Sequence, residues 1–104
     1  MSDRLIINTN KLVLLIYYDQ INFFKSDDCY TNVQLIDSQQ YILCKSLKRV
    51  ELEINSSCFI RVHASYLVNK RSIKSIDKLN RTVCLINDLK IPYTIKLRDL
   101  LSSL

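Results

Sequence analysis

The stretch Phe59–Asn69 contains the side chains of this chain that are best suited to contact a charged partner. It reads Phe-Ile-Arg-Val-His-Ala-Ser-Tyr-Leu-Val-Asn, so apolar residues flank a polar centre of His63, Ala64 and Ser65. This pattern predicts two short extended segments joined by a polar corner. Such a corner can present an imidazole and a hydroxyl to an anion or to the edge of a base. The cations nearest to it in the sequence, which we expect to form a basic rim, are Arg61, Lys70 and Arg71.

Few residues of the chain are suited to catalysis. There is one histidine, and no Ser-His-acid or Cys-His spacing is evident around it. A glycine-rich phosphate loop is excluded because the chain has no glycine. The paired carboxylates Asp27 and Asp28 fall in a predicted turn, where they shape the backbone. We therefore expect no catalytic residues and no cofactor.

The four cysteines are spaced too widely for a typical zinc site. Successive cysteines are 15, 14 and 26 positions apart, whereas zinc ligands usually occur in pairs within about four residues. Two disulfides remain an alternative for four cysteines, but we expect reduced, structural thiols and no metal. The cysteines are Cys29, Cys44, Cys58 and Cys84.

The positive charge lies in the second half of the chain. Residues 1–52 contain six Lys/Arg and six Asp/Glu, and residues 53–104 contain nine and four, which gives the net charge of +5. Two interpretations stay open: one face made for a polyanion, or ordinary solubility charge.

Length and composition predict one β-rich domain that spans residues 1–104. Strand-forming isoleucine, valine, threonine and tyrosine are abundant. The longest apolar run, Leu12–Tyr18, has seven residues, whereas a membrane span needs roughly 20. The N-terminus has no signal-peptide pattern, so we expect a cytoplasmic protein without membrane contact.

Polar turn residues divide the chain into about ten short antiparallel strands. Because glycine is absent, asparagine and aspartate are expected at the turn positions that need positive φ. The predicted turns are Asn8–Asn10, Asp27–Asp28, Asp37–Ser38, Asn55–Ser57, Leu79–Arg81 and Asn87–Asp88. The Cys58–Val62 and Tyr66–Asn69 strands are predicted to form the central pair, and Pro92 marks an edge strand. The other predicted strands are Arg4–Ile7, Lys11–Tyr17, Ile21–Lys25, Tyr30–Ile36, Gln40–Cys44, Ile73–Leu79, Thr82–Ile86 and Lys90–Thr94.

Two short helices are predicted. Ser46 can cap the first, in which Leu47, Val50 and Ile54 form one apolar stripe. The second is predicted from leucines at i, i+3, i+4 and i+7, namely Leu97, Leu100, Leu101 and Leu104.

Several sequence blocks, in order along the chain, resemble the LytTR DNA-binding domain, the output domain of many bacterial response regulators. The central block is Phe59–Asn69, followed by Ile73–Ile76 and Leu89–Pro92. Upstream, Asp19–Ser26 with Tyr30 resembles a second family block, and Lys45–Lys48 resembles the start of its short helix. The resemblance covers nearly the whole chain and implies an elongated β-domain that inserts loops into successive major grooves.

The resemblance implies three DNA-contacting segments: 25–30, 63–65 and 94–98. Lys96 is the strongest candidate for a base or phosphate contact, because it occupies a position where the family usually has arginine or lysine. Ala64 departs from the family pattern, in which arginine or asparagine follows the histidine, and Asp27-Asp28 opposes phosphate charge. Both departures predict weaker DNA binding or different base preferences. The candidate residues are Lys25, Ser26, Tyr30, His63, Ala64, Ser65, Lys96 and Arg98.

Three of these residues have a second interpretation. His63 is equally well explained as a hydrogen-bonded residue that holds the corner. Tyr30 could cover the core, and Arg98 could face solvent.

The resemblance implies a sequence-specific DNA-binding transcription regulator, either an excised output domain or a stand-alone protein. Its expected partners are duplex DNA with promoter direct repeats, a second copy on that DNA, and a receiver domain or sensor. The alternative is a LytTR-like protein-interaction module that has lost DNA binding. RNA binding, a third class, would need exposed stacking aromatics, which six tyrosines permit.

Overall fold

The computed structural model describes residues 3–104 and shows three antiparallel sheets and two α-helices in an elongated body of 46 × 27 × 24 Å. This confirms the predicted β-rich, elongated architecture. The helices are α1 (Leu47–Ile54) and α2 (Leu97–Ser103). The strands are β1 (Arg4–Asn8), β2 (Val13–Tyr17), β3 (Ile21–Asp27), β4 (Tyr30–Leu35), β5 (Gln40–Leu43), β6 (Phe59–His63), β7 (Tyr66–Asn69), β8 (Ile73–Asp77), β9 (Thr82–Leu85) and β10 (Lys90–Pro92).

The largest sheet has five strands in the order β5-β4-β3-β7-β6, so β3 is its central strand. Residues 21–24 of β3 are all buried, as expected for a strand covered on both faces. The prediction that β6 and β7 form the central pair was wrong for β6, which lies at an edge. Backbone pairing of β3 with both β4 and β7 explains the difference. The other sheets are β1-β2 and β10-β9-β8.

Alternating side chains of the central sheet face two separate cores. Phe24 and Leu67 pack into a core with the buried stripe of α1, whereas Phe23 and Val68 pack into a core with β9, β10 and α2. These residues face each other in register, Phe23 with Val68 and Phe24 with Leu67. The period of two along each strand therefore directs neighbouring side chains into different cores.

Among residues 3–104, five residues have positive φ; all five fall in predicted turns, but two are of unexpected types. Asp28, Asn55 and Asp88 are the acidic and amide residues that we expected there. The expectation was wrong at Ser38 and Arg81, where φ is 77° and 53°.

The helices agree with the sequence only in part. Ser46 Oγ accepts a hydrogen bond from Arg49 N at 3.2 Å, so the predicted cap of α1 is confirmed. In α2, however, Leu100 is buried while Leu101 and Leu104 are 53% and 52% exposed. The predicted four-leucine stripe was therefore wrong, because this seven-residue helix places a narrow side against the second core. Pro92 lies on an edge strand, as predicted.

Neither helix could span a membrane. In the part of the chain that the structure describes, α1 has eight residues and α2 has seven, against the roughly 20 that a span requires.

Candidate nucleic-acid interface

Arg61 stabilises the polar corner between β6 and β7 through hydrogen bonds to its backbone. Its Nε donates to the carbonyl oxygen of His63 at 3.0 Å, and its Nη2 donates to that of Ala64 at 2.6 Å. Its Nη1 binds Glu51 Oε1 of α1 at 2.7 Å. Arg61 was expected in an exposed basic rim, and this was wrong, because its donors point inward to the corner backbone. Ala64 is the exposed residue at the tip.

The two ring nitrogens of His63 differ in their hydrogen bonding. Nδ1 accepts the Ser65 amide at 3.0 Å, and the ring meets Tyr66 edge-on with centroids 5.6 Å apart. A neutral ring whose Nδ1 accepts carries its proton on Nε2. His63 therefore holds the corner, as one interpretation predicted, while Nε2 keeps a donor that has no partner among the described residues.

The first predicted segment, 25–30, lies directly beside the corner. Ser26 N donates to Ser65 O at 2.9 Å, and Lys25 Nζ lies 5.9 Å from the centroid of the Tyr66 ring. Tyr30, opposite Asp27 at the end of the β3–β4 pair, is 50% exposed, so it does not cover the core. Asp27 and Asp28 are exposed beside it; Asp28 lies in the predicted turn, whereas Asp27 is the last residue of β3.

The third predicted segment, 94–98, begins at the outer edge of β6. Thr94 N donates to Val62 O at 2.8 Å, one residue before His63. Lys96 is the N-cap residue of α2, and its backbone oxygen accepts Leu100 N at 3.0 Å. The side chains of Lys96 and Arg98 are exposed.

Two backbone hydrogen bonds thus join Ser26 to the corner at Ser65 and Thr94 to Val62, the residue before His63. Lys25 and His63 meet at the ring of Tyr66, which the sequence did not single out as a site residue. Among residues 3–104, the side chains of Tyr30, Lys96 and Arg98 form no hydrogen bond or ion pair with these residues.

Lys70 and Arg71 were expected beside the corner, and this was wrong. They follow the far end of β7 and line a cleft of 410 Å³ with Asp3, Asp19 and Cys58. The sequence distance to the corner misled the prediction, because an extended strand of four residues separates them from Ser65.

Several basic side chains outside the three segments are paired with acids. Lys45 and Arg49 both bind Glu53, at 2.7 and 3.2 Å, and their hydrogen bonds hold the pKa of this carboxyl below its usual value. Lys74 binds Asp88 at 2.6 Å, which raises the pKa of Lys74 and lowers that of Asp88. Lys25, Lys96 and Arg98 have no ion-pair partner in the described part of the chain.

All four cysteines are free thiols, but three of them are exposed and Cys84 is partly exposed. The expectation that they are packed structural residues was therefore wrong for the three exposed thiols. Over residues 3–104, no cluster of three or more His, Cys, Asp or Glu side chains is arranged to hold a metal ion.

The fold and the site define a small β-module with three neighbouring segments that present polar and basic groups. The chain belongs to the LytTR family of DNA-binding domains, because the sequence profile of that family matches residues 10–103. This confirms the resemblance that the sequence motifs indicated.

Two curated relatives are transcriptional regulators of Paraburkholderia xenovorans. The heme-containing CO-sensing transcriptional regulator RcoM 1 is 33% identical over 79 residues, which are 76% of this chain and 29% of that protein. RcoM 2, of the same description, is 34% identical over 76 residues, or 73% of this chain and 28% of that protein. The chain therefore spans less than a third of the length of these relatives.

A solved structure supports the fold. The LytTR DNA-binding domain assigned to a methyl-accepting/DNA response regulator of Bacillus cereus superimposes with a TM-score of 0.75. The match covers 90% of this chain and 88% of that one, at 21% sequence identity.

Proposed function

We propose that this chain is the DNA-binding domain of a sequence-specific transcription regulator and that its three segments enter successive major grooves at direct repeats. The observation that supports this proposal best is the pair of backbone hydrogen bonds, Ser26 to Ser65 and Thr94 to Val62. They attach Ser26 to the corner and Thr94 to the edge strand of the same five-stranded sheet, which limits the loss of conformational entropy on binding.

Each segment has a distinct part in the proposal. In the first segment, Lys25, Ser26 and Tyr30 approach the DNA backbone. At the corner, His63 Nε2 and Ser65 donate hydrogen bonds to the DNA, and Ala64 makes an apolar contact. Lys96 donates to a guanine edge or a phosphate, and Arg98 contacts phosphate. Two copies in tandem on the repeats, and a receiver or sensor elsewhere in the regulator, complete the proposal.

The charges set an expected salt dependence. Each phosphate neutralised contributes about −0.9 to the slope of log affinity against log salt. The three cations of these segments, Lys25, Lys96 and Arg98, have no ion-pair partner among residues 3–104, so they predict a slope of about −3. The test is selection of bound sequences from a random duplex pool at moderate salt, followed by fluorescence anisotropy on the selected duplex across salt concentrations.

Lys96→Ala tests the site. We expect it to weaken binding by about 1–3 kcal/mol and to relax preference at one base position if Lys96 reads a base. The matched control is Lys11→Ala, which removes the same charge from the exposed turn between β1 and β2. Equal effects of both variants would contradict the assignment of Lys96.

The second candidate function is a protein-interaction module without DNA binding. Ile6, Val13 and Leu15, on the outward face of the β1-β2 sheet, are 59%, 56% and 52% exposed, which favours it. It predicts no salt-sensitive affinity for any duplex, together with co-purification of another regulator.

A further inference from the structure

Arg81, in the turn between β8 and β9 of the three-stranded sheet, contacts the segment that carries Lys96. Its Nη2 donates to the carbonyl oxygen of Ile95 at 2.8 Å. Its guanidinium carbon lies 4.6 Å from the centroid of the Tyr93 ring, within cation–π distance. Its own carbonyl accepts Tyr93 N at 3.0 Å. Arg81 therefore contacts two residues shortly before Lys96 in the chain, Tyr93 and Ile95.

A hydrogen bond to the Ile95 carbonyl affects the orientation of the residue that follows it, Lys96. It belongs to the same planar peptide unit as the Lys96 amide, so a hydrogen bond to this oxygen restricts the orientation of the whole 95–96 peptide. Lys96 then begins α2 as its N-cap residue with φ −66° and ψ 141°. The direction in which the Lys96 side chain leaves the backbone follows from that peptide.

Arg81 lies in a turn whose backbone is held by hydrogen bonds. It occupies a positive-φ position, at 53°, in the turn between β8 and β9. Asp77 Oδ1 accepts the amides of Leu79 and Asn80 in that turn, at 3.0 and 2.9 Å. Tyr93, which supports the guanidinium from the other side, is only 2% exposed. A fixed turn and a buried ring together restrict the guanidinium.

We propose that Arg81 is a positioning residue for DNA recognition, which orders the 94–98 segment before DNA arrives and acts through Lys96. The inference rests on the proposed function of that segment. Without this contact the segment would be ordered only on binding, and the lost entropy would weaken the complex. Although Arg81 is exposed and positively charged, its contacts direct it to the protein backbone and away from phosphate.

The variant Arg81→Asn removes the guanidinium and keeps a residue type that tolerates positive φ. We expect it to weaken binding to the selected duplex about tenfold, which corresponds to ordering the backbone of about one further residue on binding. Its salt slope should stay unchanged, because Arg81 releases no counterion. The matched control is Lys78→Asn, which removes the same charge from the same turn at an exposed residue without a partner among residues 3–104. We expect it to change affinity by less than about twofold.

Two further variants separate positioning from direct contact. Arg81→Lys retains one donor and the charge, so it should recover part of the loss. In the Lys96→Ala background, Arg81→Asn should lose most of its effect, because coupled residues are not additive. A salt slope that falls by about 0.9 in Arg81→Asn, or full additivity with Lys96→Ala, would overturn the proposal in favour of a phosphate contact.

A measurement without DNA completes the test. In the NMR spectrum of Arg81→Asn, we expect the carbonyl resonance of Ile95 and the amide of Lys96 to shift while the resonances of β3 and β7 stay in place. If the wild-type protein binds no duplex, the proposed function fails, but these shifts still report on the contact. If the wild-type protein binds and Arg81→Asn binds equally well, the proposed function stands and the role of Arg81 is refuted.

Discussion

Replacing Arg61 by alanine should damage both the stability of the domain and its DNA binding. The guanidinium makes two hydrogen bonds to the corner carbonyls of His63 and Ala64 and one ion pair with Glu51. The arginine side chain is 28% exposed and that of Glu51 is 42% exposed. A hydrogen bond from a charged donor contributes about 1.5–3 kcal/mol, and partial exposure places these two at or below the lower limit. Their sum is about 2–3 kcal/mol, whereas the exposed ion pair adds at most about 1 kcal/mol.

We therefore expect Arg61→Ala to lower the free energy of unfolding by about 2–4 kcal/mol. The assay is urea unfolding followed by far-ultraviolet circular dichroism and tyrosine fluorescence, since the chain has six tyrosines and no tryptophan. The midpoint should fall while the slope with denaturant stays constant. Affinity for the selected duplex should fall at least about tenfold, because a corner that has lost the Arg61 hydrogen bonds must be ordered on binding.

Glu51→Ala provides the matched control, because it removes the ion pair and leaves both carbonyl contacts. Its expected loss is below about 1 kcal/mol, with little effect on DNA affinity. Arg61→Lys, which keeps the charge but loses the fork of donors, should fall between the two. If Arg61→Ala were no less stable than Glu51→Ala, the carbonyl contacts would contribute nothing and the reasoning would be refuted.

Three further predictions concern stability and acid response. Asn69→Ala should lower the free energy of unfolding by about 2–4 kcal/mol, because the buried amide donates to Tyr18 O and Ile21 O and accepts Arg71 N; an unchanged urea midpoint would contradict this. Ser46→Ala should cost about 1 kcal/mol through loss of the α1 cap, and Ser46→Asp should restore it. Hydrogen bonds from the backbone and side chain of Asn80 lower the pKa of Asp77, so its stabilisation is present above the usual carboxyl pKa and is lost as the pH falls through the lowered value. Asp77→Asn should therefore show a smaller decline of the urea midpoint between neutral and acid pH, and an identical decline would argue against this role.

The local structure followed closely from the order of residue types. Alternating apolar residues predicted the strands, and polar clusters predicted every turn in which a positive φ occurs. Ser46 and the three apolar residues after it predicted α1, because caps and helical periodicity are properties of neighbouring residues. The motif Phe59–Asn69, in β6 and β7, indicated the family because it too is a pattern of neighbouring residues.

The tertiary structure alone decided which parts of the chain meet and which way the cations point. The pairing of β3 with β7 brings Ser26 to Ser65, and the edge position of β6 leaves Val62 O open to Thr94. Arg61 and Arg81 looked like the other cations in the sequence, yet both donate to backbone carbonyls. A guanidinium turns toward whichever carbonyls the folded chain leaves unpaired, and those depend on contacts between residues that are distant in the sequence.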